Sequence, residues 1–282
     1  MAVIKIDGSS LAKKYRNEIK IETLGLDRAV GLAVILVGEN PASKLYVASK
    51  EKACAEVGFY SEKYLLAEDV TEEELLSLIE DLNHKDTIDG ILVQLPLPTH
   101  IDEEKVINTI AVSKDVDGFS RENIARLVLN EKALEPCTPK GVIALLESMQ
   151  VDFSGKNAVV IGRSHIVGKP VAQMLTNRNA TVTICHSKTK NLDDFLQNAD
   201  IVVVAIGKVD FLKPDKLKEG AYVIDVGINR NLEGKVSGDV DYQAFEESLK
   251  HFYVTPVPGG VGPMTIAMLL QNTLETAKMR VR

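Results

Sequence analysis

Short β-branched apolar runs recur along the chain, at residues 32–37, 88–93, 158–161, 181–184, 201–205 and Tyr222–Asp225. Most are continuously apolar rather than alternating, the pattern of strands buried on both faces beneath helices. Helical patterns lie between them. Residues 71–82 open with Thr71-Glu72-Glu73-Glu74, a capping box, and Leu75, Leu78, Ile79 and Leu82 follow at helical spacing. Residues 166–175, 192–197 and 264–279 also predict helices, the last with a regular apolar stripe. Strand–helix alternation of this kind predicts an α/β class with a parallel sheet. The stretch EPCTP at 135–139 reads as a boundary, ahead of a helix expected from about 141 to 149. From about residue 156 the alternation has the spacing of a nucleotide-binding half.

Composition narrows the class. The 282 residues carry 33 Lys plus Arg against 40 Asp plus Glu, a net charge of −7, which argues against a nucleic-acid binder. It leaves small anionic ligands open, since a few local cations or a helix N-terminus suffice for them. The longest apolar runs, 32–37 and 201–206, hold six residues each, far short of the roughly 18 that suggest a membrane span. Lys5 and Asp7 stand where a signal peptide needs apolar residues, which points away from export. Cys54, Cys137 and Cys185 lie far apart without a CxxC pair, so neither structural zinc nor a disulfide framework is expected, and a reducing cytoplasm fits.

The most legible motif is NAVVIGRSHIVGKP, residues 157–170. A buried run meets Gly162, which lets the chain turn sharply, and Gly168 lets a helix or a ligand approach closely. The helix start then offers N–H groups to a phosphate. The pattern is G-x-S-x-x-x-G rather than G-x-G-x-x-G, so a plain strand–helix turn stays open on this motif alone. The second strand sharpens it. Where an NAD enzyme places an acid for the ribose hydroxyls, this chain has Cys185-His186-Ser187-Lys188. Ser187 and Arg163, with Lys188 as a weaker third, suit the 2′-phosphate of NADP.

Four further stretches carry candidate chemistry. Tyr46 and Lys50 stand four apart in a helix entered through VGENPAS, and so share a face. A lysine beside a phenol in a cleft can lose solvation and act as a proton shuttle, although most such pairs are surface residues. The strand of GILVQLPLP ends in Gln94, where open α/β sheets place ligands; a buried amide serving the turn is the plainer reading. In KDVDGF, Asp117 precedes a glycine, which by itself marks a turn. PVPGGVGPMT, from Pro256, is a rigid glycine-rich approach to the last helix.

Taken in order, VGENPASKLYVASKEKA, GILVQLPLP, KDVDGF, PCTPKG, GRSHIVGKP, CHSKT, DVGIN and PVPGGVGPMT make the chain resemble the bifunctional methylenetetrahydrofolate dehydrogenase/cyclohydrolase family over essentially its whole length. The resemblance implies two α/β domains with an active-site cleft between them, the second a Rossmann-like NADP-binding domain. The boundaries expected are 1–138 plus 264–282 for the folate-binding, catalytic domain and 139–263 for the other. It implies NADP-dependent oxidation of 5,10-methylenetetrahydrofolate to the 5,10-methenyl form, then hydrolysis to 10-formyltetrahydrofolate. Lys50, Tyr46 and Gln94 match the family's catalytic residues. Asp117 matches its pterin-binding acid, and Pro258, Gly259, Gly260 and Thr265 its folate-side loop. Gly162, Arg163, Ser164, Gly168, Ser187 and Ile228 match its cofactor contacts. A cytoplasmic homodimer with no metal, membrane or nucleic-acid partner is the family expectation.

One stretch departs from the family pattern. After KDVDGF the family commonly has histidine or asparagine, then proline, and a glycine further on, whereas this chain has Ser120, Arg121 and Ala125. Loop shape and substrate affinity are in question there, and a solvated Arg121 is the plainer reading of that residue. Two other functions compete. An NADP-dependent oxidoreductase on another substrate has no need of Tyr46, Lys50, Gln94 and Asp117 together. A catalytically silent folate or nucleotide binder would have replaced one of them.

Overall fold

The computed structural model describes residues 3–230 and 234–280. Along the chain run β1 (Val3–Lys5), α1 (Gly8–Thr23), β2 (Gly31–Val37), α2 (Pro41–Val57), β3 (Tyr60–Leu66), α3 (Glu72–His84), β4 (Gly90–Val93), α4 (Glu103–Thr109), α5 (Arg121–Val128) and α6 (Cys137–Ser148). Then come β5 (Asn157–Ile161), α7 (Gly168–Asn177), β6 (Thr181–Cys185), α8 (Leu192–Leu196), β7 (Ile201–Val204), β8 (Tyr222–Asp225), β9 (Asn229–Arg230), β10 (Val236–Ser237), α9 (Tyr242–Glu247), β11 (Phe252–Val254) and α10 (Val261–Arg280). Two compact units result. One joins Lys13–Cys137 to the segment from Ile266 onward. The other joins the residues before Lys13 to Thr138–Thr265.

The first unit holds a parallel sheet in the order β3-β2-β4. Every residue of β2 is buried, as its unbroken apolar run requires. α2 packs on β2 and β3, and α3 on β4. Ala33, Ile35 and Val37 meet Leu75, Ile79, Leu82, Ile91 and Val93 in one apolar cluster. The predicted capping box is present: Thr71 Oγ1 accepts from the Glu74 N–H at 3.2 Å, and the Thr71 N–H donates back to Glu74 Oε2 at 2.9 Å. At the other end of α3, buried Lys114 donates Nζ to the carbonyls of Leu82 and Lys85 at 2.8 and 2.9 Å. Burial lowers that ammonium to about 8. Asp89, fully buried before β4, accepts from the Gly31 N–H at 2.9 Å and pairs with the guanidinium groups of Arg28 and Arg280.

The second unit holds a six-stranded sheet in the order β1-β11-β8-β7-β5-β6, parallel throughout. Val159, Ile161, Val202, Val204, Val223, Phe245, Phe252 and Val254 belong to its core. The sequence boundary put all of residues 1–138 with the first domain. β1 instead pairs with β11, Val3 opposite Phe252 and Lys5 opposite Val254, so Val3–Lys5 joins the six-stranded sheet. A three-residue edge strand gives no periodic signal, which is why it was invisible. α6 also starts earlier than expected, at Cys137. Pro139 sits in its first turn, where a proline removes no helical hydrogen bond.

Gly90, at the start of β4, leaves no room for a side chain against Val116. A Cβ there would lie 2.5 Å from Val116 Cγ1 and 3.1 Å from its Cγ2. Gly90→Ala is therefore expected to cost on the order of 1–3 kcal/mol by overpacking. Urea unfolding should show a lower midpoint with an unchanged slope.

Candidate active site

The first unit gathers Lys50, Gln94 and Asp117. α2 is seated by its cap: Asn40 Oδ1 accepts from the N–H groups of Ala42 and Ser43 at 2.9 and 3.2 Å, and Pro41 opens the helix. One face of that helix then carries Tyr46 and, a turn on, Lys50. Lys50 is 9% exposed, and its Nζ donates to Gln94 Oε1 at 2.9 Å. Gln94 directly follows β4, its N–H donating to the Ile35 carbonyl at 2.9 Å. Its Nε2 donates to the Leu95 carbonyl at 2.8 Å, which leaves the amide oxygen for Lys50. Tyr46 is 37% exposed, and burial of the ring pushes its phenol above the usual value, so it serves as a neutral hydroxyl.

Two acids of KDVDGF are treated oppositely. Buried Asp115 is saturated: Oδ1 accepts from the N–H groups of Gly118 (3.0 Å) and Phe119 (3.3 Å), and Oδ2 from the Ser120 N–H (2.8 Å) and Asn123 Nδ2 (2.9 Å). Those bonds fix the turn around Asp117. Asp117 itself is half-buried. Burial pushes its carboxyl up; the charge of Lys50 and the Cys137 thiol pull it down, while Asp115 pushes it further up. The departures from the family pattern have a local account. Ser120 caps α5, its Oγ accepting from the Asn123 N–H at 3.3 Å, and exposed Arg121 pairs with Glu104. Ala125 lies within α5.

In the second unit, the glycine turn leaves β5. Gly162 has φ +129°, and a Cβ there would stand 2.3 Å from the Ala205 carbonyl oxygen; at Gly168 it would stand 2.3 Å from the Gly162 oxygen. The Gly162 N–H donates to the Cys185 carbonyl at 2.9 Å, tying the ends of β5 and β6. Arg163 and Ser187 follow these neighbouring strand ends, both exposed, and no acid stands in the sequence from 163 to 187. Ser164 organises the turn itself. Its Oγ accepts from the N–H groups of Val167 and Gly168 at 3.2 and 3.3 Å, and its carbonyl from the Lys169 N–H. The donors expected to face a phosphate at the start of α7 are thus taken by a serine turn. Exposed Lys188 turns its backbone N–H to His186 Nδ1, and His165 lies beside Lys169.

Ile228, after β8, is 51% exposed, and its Cδ1 is 3.8 Å from where a Cβ on Gly262 would be. Before α10, the Ser9 N–H donates to the Gly259 carbonyl at 2.9 Å, and the hydroxyls of Thr265 and Thr138 lie 3.0 Å apart. The Val257–Pro258 peptide is cis, and Gly260 follows in the same loop. Sequence reasoning gave no signal for two acids nearby, Asp225 and Asp239. Both are buried, and burial pushes Asp225 up to about 6. The cysteines are buried free thiols. Among the described residues no cluster of His, Cys, Asp and Glu could hold a metal ion.

A bare glycine turn with cations in place of the ribose acid fits a dinucleotide bearing an extra phosphate. With an amine–amide–carboxylate cluster in the other unit, the class defined is a dinucleotide-dependent α/β enzyme with a separate catalytic domain. The chain belongs to the tetrahydrofolate dehydrogenase/cyclohydrolase family: its catalytic domain matches residues 6–117 and its NAD(P)-binding domain residues 136–281. The bifunctional protein FolD of Moorella thermoacetica is 54% identical over 276 residues, 97% of this chain and 98% of its own. The crystal structure of the bifunctional FolD dehydrogenase/cyclohydrolase of Campylobacter jejuni superposes with a TM-score of 0.96 at 51% identity, covering 99% of this chain and all of that one. That of the Trypanosoma brucei N5,N10-methylenetetrahydrofolate dehydrogenase-cyclohydrolase, complexed with NADP and an inhibitor, gives 0.94 at 38% identity, covering 99% of each chain.

The raised Asp117 carboxyl has a stability consequence. A carboxyl raised on folding favours the native state below its unfolded value, near 3.9, and that advantage is lost as pH rises through the folded value. Asp117→Asn removes the ionisable carboxyl. Its melting temperature should match the parent near pH 4 and exceed it increasingly toward pH 8, as thermal melts across that range will read.

Proposed function

We propose that this chain oxidises 5,10-methylenetetrahydrofolate with NADP and hydrolyses the resulting 5,10-methenyl cation to 10-formyltetrahydrofolate. The observation that carries this is the family match over both domains, at more than half identity to bifunctional relatives. NADP, when bound, accepts a hydride from the methylene carbon. Loss of that hydride leaves a nitrogen-stabilised cation, so no strong base is required of the protein. Hydrolysis asks more of it. Water adds to the methenyl carbon and its oxygen gives up both protons on the way to the formyl carbonyl; N5 takes one as its bond to that carbon breaks, and the other leaves to solvent. Lys50 is the group that moves these protons, with Gln94 Oε1 fixing Nζ and Tyr46 supplying a neutral hydroxyl one turn away. Asp117 accepts hydrogen bonds from the pterin amino and ring N–H groups, as a carboxylate does well. Its raised carboxyl supports this role, since bound N–H donors would repay the burial.

On the cofactor side, Gly162 and Gly168 let the nucleotide approach the backbone, and Arg163 with Ser187 meets the 2′-phosphate. Ser164 contributes by shaping the turn, and Ile228 by its exposed apolar surface. Pro258, Gly259, Gly260 and Thr265 form the folate-side loop. The reading includes a homodimer, supported by the resemblance and by β3 as an edge strand with Tyr60 and Leu65 exposed. It also places the protein in the cytoplasm. Free thiols and the lack, among the described residues, of a helix long and apolar enough to cross a membrane agree with that.

Incubation with methylenetetrahydrofolate and NADP should yield NADPH and a transient methenyl absorbance; no NADPH would rule the reading out. Lys50→Gln should slow methenyl hydrolysis by roughly 10²–10⁴-fold, the range of general acid–base catalysis. Near-parental hydrolysis would remove Lys50 from the proton path. Arg163→Ala should raise the NADP KM roughly tenfold or more, the scale of a lost charge-assisted contact, and the NAD KM far less. Equal effects on the two cofactors would exclude a 2′-phosphate contact.

A further inference from the structure

We propose that Asp239 is a positioning residue for the nicotinamide nucleotide, its buried carboxylate holding residues 206–208 and Asn229 in the shape that receives the cofactor. The inference rests on the cofactor reading given above. Asp239 is fully buried. Its Oδ2 accepts from the N–H groups of Ile206 (2.7 Å) and Gly207 (3.1 Å), and its Oδ1 from the Lys208 N–H (2.7 Å) and Asn229 Nδ2 (2.9 Å). Three successive N–H groups at the end of β7 thus converge on one side chain. The residue before them, Ala205, carries the carbonyl that excludes any side chain at Gly162. The segment Asp239 holds therefore continues directly from the residue packed against the glycine turn.

The same carboxylate supports the chain on the far side. A Cβ on Gly227 would lie 2.3 Å from the Asp239 carboxyl group, so the residue immediately before Ile228 rests on it. Asp225 supports Asp239 in turn: its Oδ1 accepts from the N–H groups of Asp239 and Gly227, both at 2.9 Å, and its Oδ2 from the Val240 N–H at 2.9 Å. Two internal acids, one behind the other, thus fix the loops at the carboxyl ends of β7 and β8, where a covered parallel sheet places its ligand. Neither acid needs to touch the nucleotide. Without Asp239, four donors at this sheet edge would lose their acceptor, and the loops would rearrange to find others.

Asp239→Asn tests this by turning an amide NH2 against donors. NADP affinity, measured by calorimetry on the full chain, is expected to weaken about tenfold or more, with the NADP KM rising alike. Amide hydrogen exchange at 206–208 should quicken. Hydrolysis of the methenyl substrate without NADP is expected to fall by under about threefold. Asn229→Ala, which removes one donor and keeps the buried acid, should weaken NADP by about threefold and covers the case in which the first variant does not fold. NADP affinity within about twofold of the parent in the folded variants, or hydrolysis falling in step with oxidation, would overturn the role. If Arg163→Ala weakens NADP and the Asp239 and Asn229 variants do not, this inference fails alone. If none of them does, the cofactor reading fails with it.

Discussion

A strand covered on both faces can be polar only at its ends, and that constraint organises both units of this protein. β2, β4, β5 and β7 are almost wholly buried, so their sequences hold no chemistry. Polar and glycine positions instead gather just past the strand ends: Gln94 after β4, Gly162 after β5, the 206–208 segment beyond β7, and Gly227 beyond β8. At that edge the sheet also stops satisfying its own backbone, and the protein supplies side chains to finish the task. Asp115, Asp225 and Asp239 each collect several N–H groups. They are internal anions that do for loops what neighbouring strands do for strands.

How much of this the sequence revealed follows from how local each signal was. The buried strands read directly, because a short unbroken run of β-branched apolar residues between turns suits a covered strand far better than a helix or a loop. α3 read directly from its capping box. β1, β3 and β11 did not: they are short or half-exposed, with neither period nor continuity. Lys50, Gln94 and Asp117 were found through their motifs, but their proximity was not, since it depends on which strands lie side by side. Asp239 left no trace at all. An aspartate between glycine and valine looks like any turn residue, and its four donors come from residues 10 to 33 positions away in the chain. Asp115 carried no signal either: two residues from Asp117 it is one more acid in a turn, yet its four acceptor contacts fix that turn.

The glycine turn shows a limit of pattern reasoning. A helix start next to a glycine-rich loop suggests free N–H groups for an anion. Here the hydroxyl of Ser164 already holds two of them, a local competition that serine is well suited to win. On the cofactor role proposed for this edge, recognition of an anion there rests on side chains such as Arg163 and Ser187. An acidic protein of net charge −7 can bind two anionic ligands on these terms, because a handful of placed groups outweighs a diffuse surplus.

Cys54 lies on α2 one turn beyond Lys50, fully buried, with its thiol pushed up to about 12. The thiolate is the reactive form of cysteine, so in the closed helix this sulfur is both unreachable and chemically quiet. Oxidants and alkylating agents can mark it only when the packing around it opens. The helix that holds Lys50 therefore carries its own dosimeter: the rate at which Cys54 is labelled counts the openings that bare it.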